Sequence, residues 1–198
     1  MGYALADAAR RRGARVILVS GPTALTAPDG VEFISVRTAA EMDRAVREKL
    51  AETTAVIMAA AVADFRPANP EAAKIKRGTG KLTLELESTP DILADISRES
   101  TSSSNTQNRR IIIGFAAETN DVAPSARKKL MSKNADLIVA NDVTEPGAGF
   151  DGDTNVVTLF SRYSEEVRLP KMSKFDVAGR VLDELVRLRS TVSVPVRK

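Results

Sequence analysis

Lys74–Lys81 reads KIKRGTGK, with four cations and two glycines in eight residues and no acid. Like charges held this close repel one another, and an anion such as a triphosphate would relieve the repulsion. A second cationic group is Lys129 and Lys133, spaced i, i+4 and so on one face of a helix. It reads either as a solvated face or as a phosphate-neutralising pair. In TPDI the backbone amides of Asp91, Ile92, Leu93 and Ala94 stand at a helix start, where unpaired N–H groups can donate to an anion or to a base's acceptors. Asp64, in AAAVADFRP, shapes its loop or contacts a ligand, and Phe115, in GFAAET, is core or a base-stacking platform.

Composition narrows the chemistry. The 198 residues contain no cysteine and no histidine, which excludes disulfides, thiolate or Ser-His catalysis and a conventional zinc site. Acid–base work falls to Lys, Asp, Glu or water. No apolar run reaches the roughly 20 residues that span a bilayer, and cytoplasmic placement is the default. A net charge of +3 invites a nucleic-acid reading, but Arg10-Arg11-Arg12 lies in a helical pattern without an aromatic stacking platform, so no nucleic-acid or membrane partner is expected.

The elements that must position these residues alternate. Gly2–Gly13 reads as a helix stopped by glycine, Ala14–Ser20 and Val31–Val36 as strands, and Thr38–Glu52 as a threonine-capped helix. Thr54–Val62 reads as a buried strand, Lys81–Glu87 as an antiparallel strand, and Thr89–Glu99 as a helix capped by Thr89 with Pro90 in its first position. A polar loop (Ser100–Asn108), a strand (Arg110–Phe115), a helix (Asp121–Asn134), a strand (Ala135–Asn141), a hairpin over Asn155–Pro170 and a helix (Lys174–Arg189) follow. The expected fold class is α/β, a Rossmann-like open, mostly parallel sheet with helices on both faces plus an antiparallel hairpin extension. One domain over 1–190 with a 191–198 tail is expected, and ligands belong at the carboxyl ends of the strands. KIKRGTGK would then reach over that edge as a lid. The chain opens on a helix, so a first strand and glycine loop are expected to be missing upstream.

Three short motifs fail in context. GAGFDG has dinucleotide-fingerprint spacing but precedes a strand pattern, DGDTN lacks the later calcium-loop residues, and GTGK lacks the first glycine and the Ser/Thr of a phosphate loop.

Taken together, MGYALADAARRRGARVILVSGPT, MAAAVADFRP, AAKIKR, TPDIL, GFAAETN, ARKKLMSKNADLIVANDV and GFDGDTNVVTLF resemble phosphopantothenoylcysteine synthetase, in family order and over nearly the whole chain. The resemblance implies a ligase of coenzyme A biosynthesis. The carboxylate of 4′-phosphopantothenate attacks the α-phosphorus of CTP, with Mg²⁺ on the phosphates, and the amine of cysteine then displaces CMP from the acyl-cytidylate. Such chemistry rests on positioning and charge neutralisation.

Residue by residue, the resemblance implies a nucleotide site of Met58, Ala59, Ala60, Asp64, Lys74, Asp91, Ile92, Leu93, Ala94, Phe115, Lys129 and Lys133. It further implies phosphopantothenate against Ala60 and Ala61, and a catalytic role for Lys74 in turning over the acyl-nucleotide. For the hairpin region it implies a homodimer whose partner helps close the site, and fusion to a phosphopantothenoylcysteine decarboxylase domain is implied as well. Arg77 stands where the family's basic motif usually ends in lysine, and the family's upstream SNxSSGK segment is absent. CTP against ATP stays open, as do a non-catalytic nucleotide-binding remnant and an NAD(P)- or flavin-dependent oxidoreductase on a similar sheet.

Overall fold

A computed structural model describes residues 1–71, 73–77, 80–102, 109–118, 121–142 and 152–192. In chain order they form α1 (Gly2–Arg11), β1 (Ile17–Ser20), β2 (Glu32–Ser35), α2 (Ala39–Lys49) with a 3₁₀ turn (Leu50–Glu52), β3 (Ala55–Met58), β4 (Phe65–Pro67), β5 (Leu86–Ser88) and α3 (Ile92–Ser102). Then come β6 (Ile111–Glu118), α4 (Val122–Ser132), β7 (Leu137–Asp142), β8 (Thr154–Asn155), β9 (Val157–Ser161), β10 (Val167–Arg168), β11 (Met172–Ser173) and α5 (Lys174–Val192).

The main sheet has the order β10-β9-β7-β6-β3, parallel across β3, β6 and β7 and antiparallel at β9 and β10. β1 and β2 form a separate parallel pair. Side chains on a strand alternate between faces, and β6 and β7 divide accordingly. Ile111, Ile113, Leu137 and Val139 join one core with α1 and α5, whereas Ile112, Ala116, Ile138 and Ala140 join another with α2, α3 and α4. Both faces are therefore covered, as a mostly parallel sheet requires.

Local chemistry explains the helix ends. Thr38 and Glu41 close a reciprocal capping box at α2, an arrangement worth about 1 kcal/mol. Gly13, at φ +83°, takes the left-handed turn that ends α1. The triple arginine is absorbed by this packing: Arg11 lies over the Phe175 ring, while Arg12 binds the Asp183 carboxylate and the Gly179 carbonyl of α5.

Three expectations change. The strand expected over Thr54–Val62 ends at Met58, where the chain leaves the sheet. Of the strand expected over Lys81–Glu87, only its end pairs, as Leu86–Ser88 against Phe65–Pro67. α3 begins at Ile92 rather than at Pro90, because Asp91 supplies the cap by accepting from the Ala94 N–H, while the Thr89 hydroxyl donates to the Ala63 carbonyl instead. α5 runs on through Val192, so the tail expected over 191–198 begins helical, and its remainder, most of the polar loop and the GAGF stretch lie outside the described residues.

Candidate functional site

β3 and β6 run parallel in register, Met58 opposite Gly114, so their carboxyl ends emerge together. A hollow of about 120 Å³ opens there, lined by Ala59, Ala60 and Ala61 from β3's exit and by Phe115, Ala116 and Ala117 from β6. Asn141, Asn155, Lys174 and Met1 complete its wall. Small residues at Ala59–Ala61 keep the β3 exit narrow, which admits a ligand close to the backbone.

Beyond Ala61 the chain is tied back to the start of α3. The Thr89 N–H donates to the Asp64 carbonyl at 2.9 Å, and the β4–β5 ribbon continues outward from that point with Arg66 on Glu87 across the strands. Asp64 therefore stands beside the turn that leads into Asp91. The Asp91 carboxylate is shared: Oδ1 caps Ala94 at 3.1 Å and Oδ2 accepts from the Lys133 ammonium. Lys129 is one turn before Lys133, and the two occupy the last turn and C-cap of α4 rather than its start.

Gly114 permits the fit of α3 on the sheet. A Cβ there would stand 2.6 Å from Leu93 Cδ2 and 2.9 Å from Ile138 Cδ1, well inside contact distance. Ile92, only 3% exposed, anchors the helix start in the core. Of the four amides at this start, that of Ala94 is already engaged by Asp91, so a ligand there would meet a carboxylate as well as free N–H groups.

The structure thus brings the sequence-derived residues together in two groups. Ala59, Ala60, Ala61 and Phe115 share the hollow; Asp64, Asp91–Ala94 and Lys133 gather at the start of α3, with Lys129 adjacent. Met58 joins them from the sheet end, packed against the core of the α3 and α4 face. Lys74 is exposed on the segment between β4 and β5 and makes no ion pair among the described residues. Gly78 and Thr79 of the basic segment lie outside the described residues. Sequence reasoning missed Asn141, Asn155 and Lys174. Lys174 sits at the start of a helix that was anticipated, but nothing in its neighbours signals that this helix end meets the exits of β3 and β6.

Residues 1–188 match the DNA/pantothenate metabolism flavoprotein C-terminal domain family. The chain belongs to that family. Among curated proteins it is 49% identical over 189 residues to the coenzyme A biosynthesis bifunctional protein CoaBC of Bacillus subtilis, covering 95% of this chain and 45% of that one. It is 39% identical over 189 residues to a cysteine/cysteine sulfinic acid decarboxylase of an unknown prokaryotic organism, covering 95% and 51%. Among solved structures, the crystal structure of the C-terminal domain of CoaBC superposes with a TM-score of 0.76 at 37% identity, covering 96% of this chain and 82% of that one. The chain spans about half the length of the curated relatives it matches.

Proposed function

We propose that this domain is a phosphopantothenate–cysteine ligase of coenzyme A biosynthesis. In the first half-reaction a carboxylate oxygen of 4′-phosphopantothenate attacks the α-phosphorus of CTP, and the bond to the leaving pyrophosphate breaks. In the second, the cysteine amine attacks the acyl carbon, loses a proton, and the acyl C–O bond breaks to release CMP. The two relatives carry different activities in their names and are each about twice this length, so the choice rests on this chain's own residues. The observation that carries it is the shared hollow: Ala59, Ala60, Ala61 and Phe115, which the family resemblance assigns to substrate and nucleotide, line one cavity at adjacent strand ends.

In this reading Lys129 and Lys133 neutralise phosphates, the amides at the α3 start read the base, and Lys74 swings in on its ribbon to turn over the acyl-nucleotide. Mg²⁺ enters in this reading with CTP, on its phosphates. A homodimer belongs to the reading as well. Phe65, Leu82, Leu84 and Leu86 stand exposed along the ribbon, an apolar surface of the kind a second subunit covers. So does fusion to a decarboxylase domain, which would occupy the other half of a chain of the relatives' length. Among the described residues no helix is long and apolar enough to cross a membrane, and the reading places the enzyme in the cytoplasm.

The test is pyrophosphate release from MgCTP that depends on 4′-phosphopantothenate, measured on the protein in its full natural chain beside MgATP. CTP-dependent release is expected. Lys74→Gln should slow turnover at least tenfold with an unchanged melting temperature, since Lys74 is exposed and makes no ion pair among the described residues. No release with either nucleotide would remove the ligase reading, and an unchanged rate would remove the role of Lys74.

A further inference from the structure

The geometry points to Asn155 and Lys174 as the recognition pair for the acyl substrate: the Asn155 side-chain carbonyl accepts the amide N–H of 4′-phosphopantothenate, and Lys174 takes its phosphate. The inference rests on the ligase reading above and assigns two residues to it.

Asn155 is 2% exposed, and its Oδ1 has no hydrogen-bond partner among the described residues. A buried acceptor left without a donor is costly, and the packing around it asks for no amide: Val156 and Val157, which follow it, are apolar and buried. This carbonyl, unpartnered among the described residues, belongs to a residue that lines the hollow, where a ligand N–H can satisfy it.

Lys174 reaches the same wall by construction. The β8–β11 ladder sets Asn155 opposite Met172, two residues before Lys174. The Lys174 N–H then donates to the Asp153 carbonyl at 2.8 Å, and Ser173 caps α5 by accepting from the Asp176 N–H. The Asp176 carboxylate is turned to the Ser173 hydroxyl. One short ladder thus fixes an acceptor and a cation side by side.

The sheet separates this pair from Asp91 and Lys133. α5 packs on the face that carries Ile111 and Ile113, whereas α3 and α4, which bring Asp91 and Lys133, pack on the other. Two ligands approaching from opposite faces meet at the exits of β3 and β6. A slender aliphatic chain with an internal amide and a terminal anion matches alanine walls, a buried acceptor and an ammonium.

Calorimetric titration of the full natural protein with 4′-phosphopantothenate, with pantothenate and with MgCTP tests the assignment. Asn155→Leu removes the unsatisfied carbonyl at similar volume, so the ligand-free melting temperature should hold or rise. The Kd for both pantothenate compounds should increase at least tenfold and that for MgCTP should stay within twofold. Lys174→Gln should abolish the preference for 4′-phosphopantothenate over pantothenate without changing MgCTP binding. Where Asn155→Leu does not fold, Asn155→Ser, too short to reach the ligand, is read in the same way. Unaltered affinity for 4′-phosphopantothenate in the asparagine variant overturns the assignment while leaving the ligase reading intact. An unsubstituted protein that binds no 4′-phosphopantothenate removes both.

Discussion

The Lys133 ammonium reaches from the C-terminal end of α4 to the Asp91 carboxylate that caps α3, joining residues 42 apart in the chain. One carboxylate thereby serves two functions, holding the first turn of α3 through Ala94 and holding a lysine beside that turn. Both side chains are partly exposed, so the ion pair itself contributes little to stability, and its effect is to fix where the cation stands.

The two functions separate by substitution. Asp91→Asn keeps an acceptor for Ala94 and should leave unfolding free energy within about 0.5 kcal/mol, whereas Asp91→Ala should lose about 1 kcal/mol with the cap. Urea unfolding of both variants measures this. Equal stability of the alanine and asparagine variants would show that the cap contributes nothing.

Gly114 makes a prediction about how tightly α3 sits. Gly114→Ala should destabilise the protein by about 1–3 kcal/mol, because the new methyl collides with Leu93 and Ile138. Leu93→Ala alone should also destabilise, by leaving a void. The double variant should be more stable than the sum of the two losses by at least about 0.5 kcal/mol, since the void accepts the methyl. Strict additivity in a double-mutant cycle would argue that the two side chains do not compete for this space.

Asp136 should behave as a purely structural group. It is fully buried before β7, accepts from Arg109 at 2.7 Å and from the Ile112 N–H at 2.8 Å, and is approached by the Tyr163 hydroxyl. These partners lie at the amino end of the sheet, away from the hollow at the carboxyl ends. Asp136→Ala leaves the Arg109 guanidinium without its carboxylate and should cost about 3 kcal/mol. Below the melting temperature, kcat/KM should be unchanged. A loss of activity without a loss of stability would contradict the structural role.

Much of this protein was decided locally. Alternation of Ile111–Ile113 and Leu137–Ala140 fixes which face each residue takes, since successive side chains of a strand must point oppositely. Thr38 and Glu41 fix where α2 begins, and Gly13 where α1 stops, because caps are satisfied within a few residues. The family-bearing stretches fix the candidate residues Met58–Ala61, Asp64, Asp91–Ala94 and Phe115. What sequence could not decide depends on groups brought together from distant elements. Whether Thr89 or Asp91 caps α3 was settled by the Ala63 carbonyl, which takes the Thr89 hydroxyl. That Lys133 meets Asp91 follows from how α4 packs beside the start of α3, not from either residue's neighbours in sequence. The carbonyl of Asn155, unpartnered among the described residues, is buried only once β8 has paired with β11. Pairing rules within one turn or one strand act over a few ångströms of covalent chain, whereas these contacts depend on the assembled sheet.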